Sequence, residues 1–243
     1  MSRVHRAAAV GFARSADAYE RGRPAYPEAA VAGVVAQLPA RARVLDLAAG
    51  TGKLTRRLLD SGLRVVAVEP VAEMRAALPA EARALEGTAE AIPLGDAAVD
   101  AVTVGQAFHW FDGDAALREI ARVLRPGGVL ALLWNRRVED DPVNRAIDEI
   151  VDPHRGGAPT HRGDAWRAVF ERTTQFGPLE EQVFDNRQTL DADGLEARVG
   201  SISFIAALEP SERAAAIERA RGLAGAGAVT VPYRTELQLC RRL

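Results

Sequence analysis

Cysteine is nearly missing from these 243 residues. Cys240 stands alone, which excludes an internal disulfide framework and any cysteine-based zinc cage. Lysine is as scarce: of 31 basic residues only Lys53 is lysine. An arginine here is therefore weaker evidence of a planar, bidentate anion site than in a chain that uses both cations. Neither sign of charge is in excess. With 33 acidic residues the formal net charge is −2, so no global basic field draws the protein to nucleic acid or an anionic membrane. No apolar run approaches the ~20 residues that span a bilayer. The basic, Ala-rich N-terminal stretch turns acidic too soon for a signal peptide, and a cytoplasmic location is expected. What is present is an apolar fraction of 48%, too high for a disordered chain, over a length that can bury a substantial core.

After residue 40, β-rich runs alternate with helical stretches. Residues 43–48 read as a buried strand that enters a glycine-bearing turn, and 53–61 place Leu54, Leu58 and Leu59 on one helical face with Gly62 as the stop. Strands follow at 63–68, 82–85 and 99–104, with a short helix at 71–78 ended by Pro79. Asp112 is placed to cap a helix over 115–124, and Pro126-Gly127-Gly128 is expected to break the chain before a fifth strand at 129–134. Five apolar strands separated by helices imply a parallel sheet covered on both faces. Ligands of such sheets sit beyond the carboxyl ends of the strands, near the reversal of strand order. Further along, 141–151 and 210–223 read as helices and 180–187 as a strand; 229–239 read as a final strand, whose Pro232 argues for an edge or bulge position. With no repeat and no low-complexity linker, one domain over 1–243 is expected: a covering segment at 1–40, a core at 41–135, and a sheet extension that caps a pocket at 136–243.

The turn Asp46-Leu-Ala-Ala-Gly-Thr-Gly52 carries the chemistry. A strand-to-helix turn needs glycine where the backbone approaches a ligand or takes positive φ, and the helix N-terminus offers amides to an anionic group. A phosphate-binding P-loop fails twice: the expected first glycine is Leu47, and Lys53 is followed by Leu54 rather than a hydroxyl. A dinucleotide fingerprint starting at Gly50 meets Thr55 at its third glycine position, where a side chain would hinder close helix–strand packing.

The same turn resembles the first motif of class I S-adenosylmethionine-dependent methyltransferases, with Ala48 in place of the first glycine. Glu69, 17 residues after Gly52 and followed by Pro70, resembles the acid that accepts both ribose hydroxyls, and Met74 matches the position that packs on adenine. Residues 87–94 resemble the segment that brackets adenine, with Thr88 where an acid often stands and the Ala89 amide and Glu90 left as the polar contacts; 122–130 resemble the helix, turn and fifth strand. Together these cover roughly residues 40–135 in consistent order. Tyr19–Pro27 and Gln106–Asp112 are similar to segments of the trans-aconitate-methyltransferase-like branch, also called the type 11 methyltransferase domain branch. That likeness implies that Tyr19 and Arg23 touch the methionine end of the cofactor and that Gln106 lies beside it. The alternative for the upstream segment is a surface turn made by Arg23-Pro24 and Tyr26-Pro27.

The resemblance implies a Rossmann-like, doubly wound, mostly parallel seven-stranded sheet with helices on both faces and an antiparallel C-terminal strand. It also implies an enzyme that moves a methyl group from S-adenosylmethionine to a small-molecule acceptor, leaving S-adenosylhomocysteine; separately, His5, His154 and His161 show no metal-ligand spacing, so no metal is expected. An NAD(P)-dependent oxidoreductase and a catalytically silent S-adenosylmethionine-binding protein are the alternatives. His109 is the one sequence-placed candidate for a catalytic base; the other reading makes it, with Trp110, the wall of the pocket. An acidic acceptor would need cations, for which Arg136 and Arg137, with Arg21 or Arg23, are placed.

Overall fold

The computed structural model describes residues 20–156 and 164–243. The chain enters along an extended segment into α1 (Glu28–Val35), followed by β1 (Arg43–Leu47), α2 (Lys53–Asp60), β2 (Arg64–Val68), the single turn α3 (Ala72–Arg75) and β3 (Arg83–Leu85). Next come β4 (Val99–Gly105), a 3-10 turn at Phe108–Trp110, α4 (Gly113–Val123) and β5 (Leu124–Arg137). The C-terminal part supplies α5 (Pro142–Val151), α6 (Ala168–Arg172), β6 (Glu180–Leu190), α7 (Ala192–Gly200), α8 (Ser203–Ala206), α9 (Pro210–Gly222) and β7 (Val229–Arg241).

The seven strands form one sheet in the order β3-β2-β1-β4-β5-β7-β6. The first five pair in parallel, and β7 runs antiparallel to both β5 and β6. This is the expected doubly wound arrangement. Strand order reverses between β1 and β4, so their carboxyl ends open a crevice. Alternate side chains of these continuously apolar strands serve opposite faces. Leu45, Val102 and Leu130 pack with Leu117 and Ile120 of α4 on one side; Val44, Ala101 and Val129 pack with Val31, Leu54 and Leu58 of α1 and α2 on the other. A third apolar cluster joins Ile147 of α5, Leu195 and Val199 of α7 and Ala216 of α9 to Val231 and Tyr233 at the start of β7. That cluster forms a helical cap over one end of the sheet. No described helix is long and apolar enough to cross a membrane.

Local signals act as read for the helix starts. Asp112 accepts a hydrogen bond from the Ala115 amide at 3.1 Å, and Gly62, at φ +76°, closes α2. Two expectations need correction. Pro126-Gly127-Gly128 lies inside β5 rather than before it: the pairing jumps from Val99 with Leu124 to Ala101 with Val129, so the segment bulges out of the ladder. Pro232 lies in β7, which is an interior strand. It is tolerated because the β5 ladder ends one pair earlier, at Arg137 with Tyr233. The Pro232 carbonyl accepts from the Val138 amide at 3.2 Å on that side, and the missing N–H points the same way, where no ladder partner remains.

Candidate functional site

Asp46 ends in the crevice at the carboxyl end of β1 and is almost wholly buried. It accepts hydrogen bonds from Thr55 Oγ1 of α2 at 2.6 Å and Thr103 Oγ1 of β4 at 3.1 Å. Burial pushes its carboxyl up to about 6, and the two hydroxyl bonds oppose that rise. Thr55 thus does the opposite of what its size suggests. It is fully buried, and its hydroxyl fastens the helix to the strand where a dinucleotide fold would use glycine.

The turn that follows is folded tightly enough to need left-handed backbone. Ala48 has φ +56°, Gly50 +57° and Gly52 +89°. A Cβ on Gly52 would lie 2.9 Å from Pro79 Cδ. The Gly50 amide donates to Glu69 Oε2 at 2.9 Å, and the Val71 amide donates to Glu69 Oε1 at 2.9 Å. The acid at the end of β2 is thereby clamped against the glycine turn. Glu69 is buried, which raises its pKa, and these two amide bonds resist the rise.

Beyond Glu69, Met74 and Ala89 are buried. Thr88 Oγ1 is buried without a hydrogen-bond partner among the described residues. Glu90 points elsewhere, accepting from the Asp112 amide at 3.1 Å.

A cavity continues from this cradle toward the cap. Of the residues expected at the site, Arg23, Asp46, Ala48, Gln106, His109 and Trp110 line it, and so do Arg136 and Arg137. Gly50, Gly52, Glu69, Pro70, Met74, Thr88, Ala89 and Glu90 are not part of that lining; Gly50 and Glu69 join it through the glycine turn. Tyr19 lies outside the described residues. Gln106 has φ +60°, so two non-glycine residues in the left-handed region, Ala48 and Gln106, border the same cavity. Strain of this kind gathers where surrounding structure holds a functional backbone in place.

The upstream segment is no surface turn. Tyr26 is buried, Arg23 and Pro24 line the cavity, and a Cβ on Gly105 would lie 2.4 Å from Tyr26 Oη. The segment is pinned at several points. Glu20 accepts from Thr51 Oγ1 at 2.6 Å, Arg23 Nη2 donates to the Ser201 carbonyl at 2.8 Å, and Asn186 Nδ2 donates to the Ala25 carbonyl at 2.9 Å. It forms a strap across the carboxyl ends of the strands.

His109 stands in the 3-10 turn after β4, its ring 4.9 Å from Trp110 and 5.4 Å from Trp134. Burial, and then the nearby Arg23 cation, lower its pKa to about 4. Arg136 pairs with Glu236 at 2.8 Å, and Arg137 pairs with Asp148. Arg21 is exposed. Glu20, Tyr26, Asn135, Arg198 and Tyr233 were not singled out from the sequence. Glu20 and Tyr26 both fall within Tyr19–Pro27; nothing local marks Arg198 or Tyr233.

Residues 45–132 match the family model described as "Methyltransferase domain". The chain is 42% identical over 238 residues to an uncharacterized methyltransferase of Mycobacterium tuberculosis (strain ATCC 25618 / H37Rv), covering 93% of each chain. It is 35% identical over 203 residues to an uncharacterized methyltransferase-like protein of Schizosaccharomyces pombe, covering 80% of this chain and 78% of that one. Among solved structures, a protein from Anaeromyxobacter dehalogenans, provisionally described as a type II methyltransferase, superposes with a TM-score of 0.65 at 26% identity, covering 90% of this chain and 96% of that one. These matches reach the family and leave its branch open. On these matches this chain belongs to the class I S-adenosylmethionine-dependent methyltransferases.

Proposed function

We propose that this protein transfers a methyl group from S-adenosylmethionine to a small-molecule acceptor held in the cavity between the strand ends and the helical cap. The observation that carries this reading is the Glu69 carboxylate bonded to the Gly50 amide, which joins the acid of β2 to the glycine turn of β1 in one cradle.

The residues present fit the cofactor. Each Glu69 oxygen accepts one amide and retains a lone pair for a ribose hydroxyl. Thr88 Oγ1, buried and unpartnered among the described residues, offers a hydroxyl where adenine would lie, next to the buried Met74 and Ala89. Asp46 and Glu69 give this end the sign that suits a cationic sulfonium. When bound, S-adenosylmethionine supplies an already activated methyl group.

The protein's part is positioning and exclusion of water. The strap from Glu20 to Pro27 closes the cavity from above, and the cap closes it from the side. Correct alignment of acceptor and methyl supplies ~7–11 kcal/mol of barrier reduction. Arg23 faces the methionine end and Gln106 borders the cofactor, while Trp110, Arg136 and Arg137 face the acceptor. A group with a pKa of about 4 takes up a proton poorly at neutral pH. His109 therefore acts as neutral wall and hydrogen-bonding group, in keeping with an acceptor that needs no general base. The chain is read as one cytoplasmic domain acting on small molecules.

Isothermal titration calorimetry with S-adenosylhomocysteine tests the cradle, with NAD as the competing ligand. The protein is expected to bind S-adenosylhomocysteine and not NAD. Glu69→Ala removes charge-assisted hydrogen bonds worth roughly 1.5–3 kcal/mol each, and affinity should fall at least about tenfold. Unchanged affinity in a folded variant removes the ribose assignment.

A further inference from the structure

Among the described residues six cations line the cavity: Arg23, Lys53, Arg136, Arg137, Arg155 and Arg198. In a chain this rich in arginine that number alone says little. Their partners separate them. Lys53 reaches Glu20 at 3.5 Å, Arg23 donates to the Ser201 carbonyl, Arg136 pairs with Glu236 and Arg137 with Asp148. Arg155 pairs with Asp152 at 2.5 Å and lies over the Phe204 ring.

Arg198 differs. It is 6% exposed, and no carboxylate pairs with it among the described residues. Its Nε donates to Tyr233 Oη at 3.0 Å, while its Nη1 is buried with no hydrogen-bond partner there. Removing a guanidinium from water without a counter-charge is strongly unfavourable. A folded protein tolerates that where a ligand completes the pairing.

The guanidinium is also held in place. Tyr233 Oη donates to Gln188 Oε1 at 3.4 Å, and Gln188 Nε2 donates to the Gly22 carbonyl of the strap at 3.4 Å. A fixed planar fork with an unsatisfied edge matches a carboxylate, which accepts two parallel N–H bonds. The carboxylates in the same lining do not fill this role: Asp148 is engaged by Arg137, Asp46 by two threonines, and Glu139 is exposed at the rim.

We propose that Arg198 anchors a carboxylate of the methyl acceptor, so that the acceptor is a small carboxylic acid. This rests on the reading above that the cavity is the acceptor pocket. The anchored anion has two possible sources, the acceptor and the methionine end of the cofactor. Placement on α7 of the cap, bonded to Tyr233, assigns it to the acceptor.

The test is calorimetry on protein saturated with S-adenosylhomocysteine, titrated with acetate, succinate, hexanoate and benzoate and with the primary amide of each. The amides keep shape and lose charge. At least one acid is expected to bind tenfold or more tighter than its amide. Arg198→Gln should abolish that preference while S-adenosylhomocysteine affinity stays within about twofold, which also shows that the variant folds. If Arg198→Gln does not fold, Arg198→Lys keeps the charge without the planar fork, and its preference should fall at least threefold.

The proposal is overturned if no acid outbinds its amide, or if the preference survives in the folded variant. It is equally overturned if Arg198→Gln loses tenfold or more of its S-adenosylhomocysteine affinity with the acid preference intact, because the anion would then be the cofactor's own. If the unaltered protein fails to bind S-adenosylhomocysteine, the methyl-transfer reading itself has failed, and this inference with it.

Discussion

The two ends of the cleft are both withdrawn from water, yet they are charged in opposite senses. At the glycine turn the buried ionisable side chains are carboxylates, Asp46 and Glu69, and each is already bonded to neighbouring hydroxyls or amides. Toward the cap stand His109, half-buried and shifted toward its neutral form, and the buried Arg198, held on one edge only. The first end is a finished framework built from residues close in sequence; the second has a charge left for a ligand to complete. A cationic donor and an anionic acceptor would be drawn to opposite ends of one cavity, with the transfer point between them.

The sharpest way to break this comparison is pH. Asp46 has a folded pKa of about 6 against a usual 3.8, so the folded protein holds the proton longer. Stability therefore falls as pH rises from about 4 to about 6, by on the order of 3 kcal/mol. His109 is the mirror case, about 4 folded against a usual 6.5, so the unfolded chain binds the proton first. Its contribution rises with pH over about 4 to 6.5 by a similar amount. In the unaltered protein the two slopes oppose and largely cancel. Asp46→Asn should expose the rise, reduced by Glu69, which is shifted in the same direction as Asp46. His109→Gln should expose the fall. Urea unfolding between pH 4 and 7 reads both, and equal slopes in the two variants would refute the opposed polarity.

A smaller effect tests whether strap and cap form one unit. A Cβ on Gly22 would lie 2.2 Å from the Ala197 carbonyl oxygen and 2.4 Å from the Arg198 nitrogen. Helical backbone cannot yield there, so the strap must lift. Gly22→Ala is expected to destabilise by about 1–3 kcal/mol. It should also weaken S-adenosylhomocysteine binding, because Glu20 and Arg23 move with the strap. A variant with unaltered stability and affinity would separate the strap from both ends of the cleft.

How much of this could be read from the chain follows the same division. The β1 turn, the acid of β2 and the capped start of α4 are set within short windows, by apolar runs, glycines and N-caps, and the sequence shows them nearly residue for residue. Thr55 reads rightly as an obstacle to a dinucleotide turn, but its hydroxyl bond to Asp46 lies across the helix–strand contact and only the fold shows it. Pro232 reads as an edge or bulge residue, and its place in an interior strand depends on the end of the β5 ladder, a tertiary fact. The cap end is hardly visible in the sequence at all. Its determinants join Arg23 to Ser201, Asn186 to Ala25 and Arg198 to Tyr233, contacts between remote segments that leave no periodic trace. Arginine abundance hid Arg198 among its paired neighbours until burial distinguished it.

The smallest expected effect lies at the finished end. Ala48 occupies left-handed backbone at φ +56°, a conformation that places Cβ against the following carbonyl at roughly 1–2 kcal/mol for an L residue. Glycine removes that strain but leaves the unfolded chain more freedom, worth about 0.4–1 kcal/mol in the other direction. Ala48→Gly should therefore stabilise by between zero and about 1.6 kcal/mol, a rise in Tm of no more than about 3–6 °C at this chain length. Because Ala48 also lines the cavity, removal of its methyl group gives the cofactor a slightly closer approach, and S-adenosylhomocysteine affinity should hold or rise. A loss of stability would mean that the Ala48 side chain does more for the turn than its backbone conformation takes away. The glycine-turn end would then depend on side-chain contacts as the cap end does, and the contrast between the two would narrow.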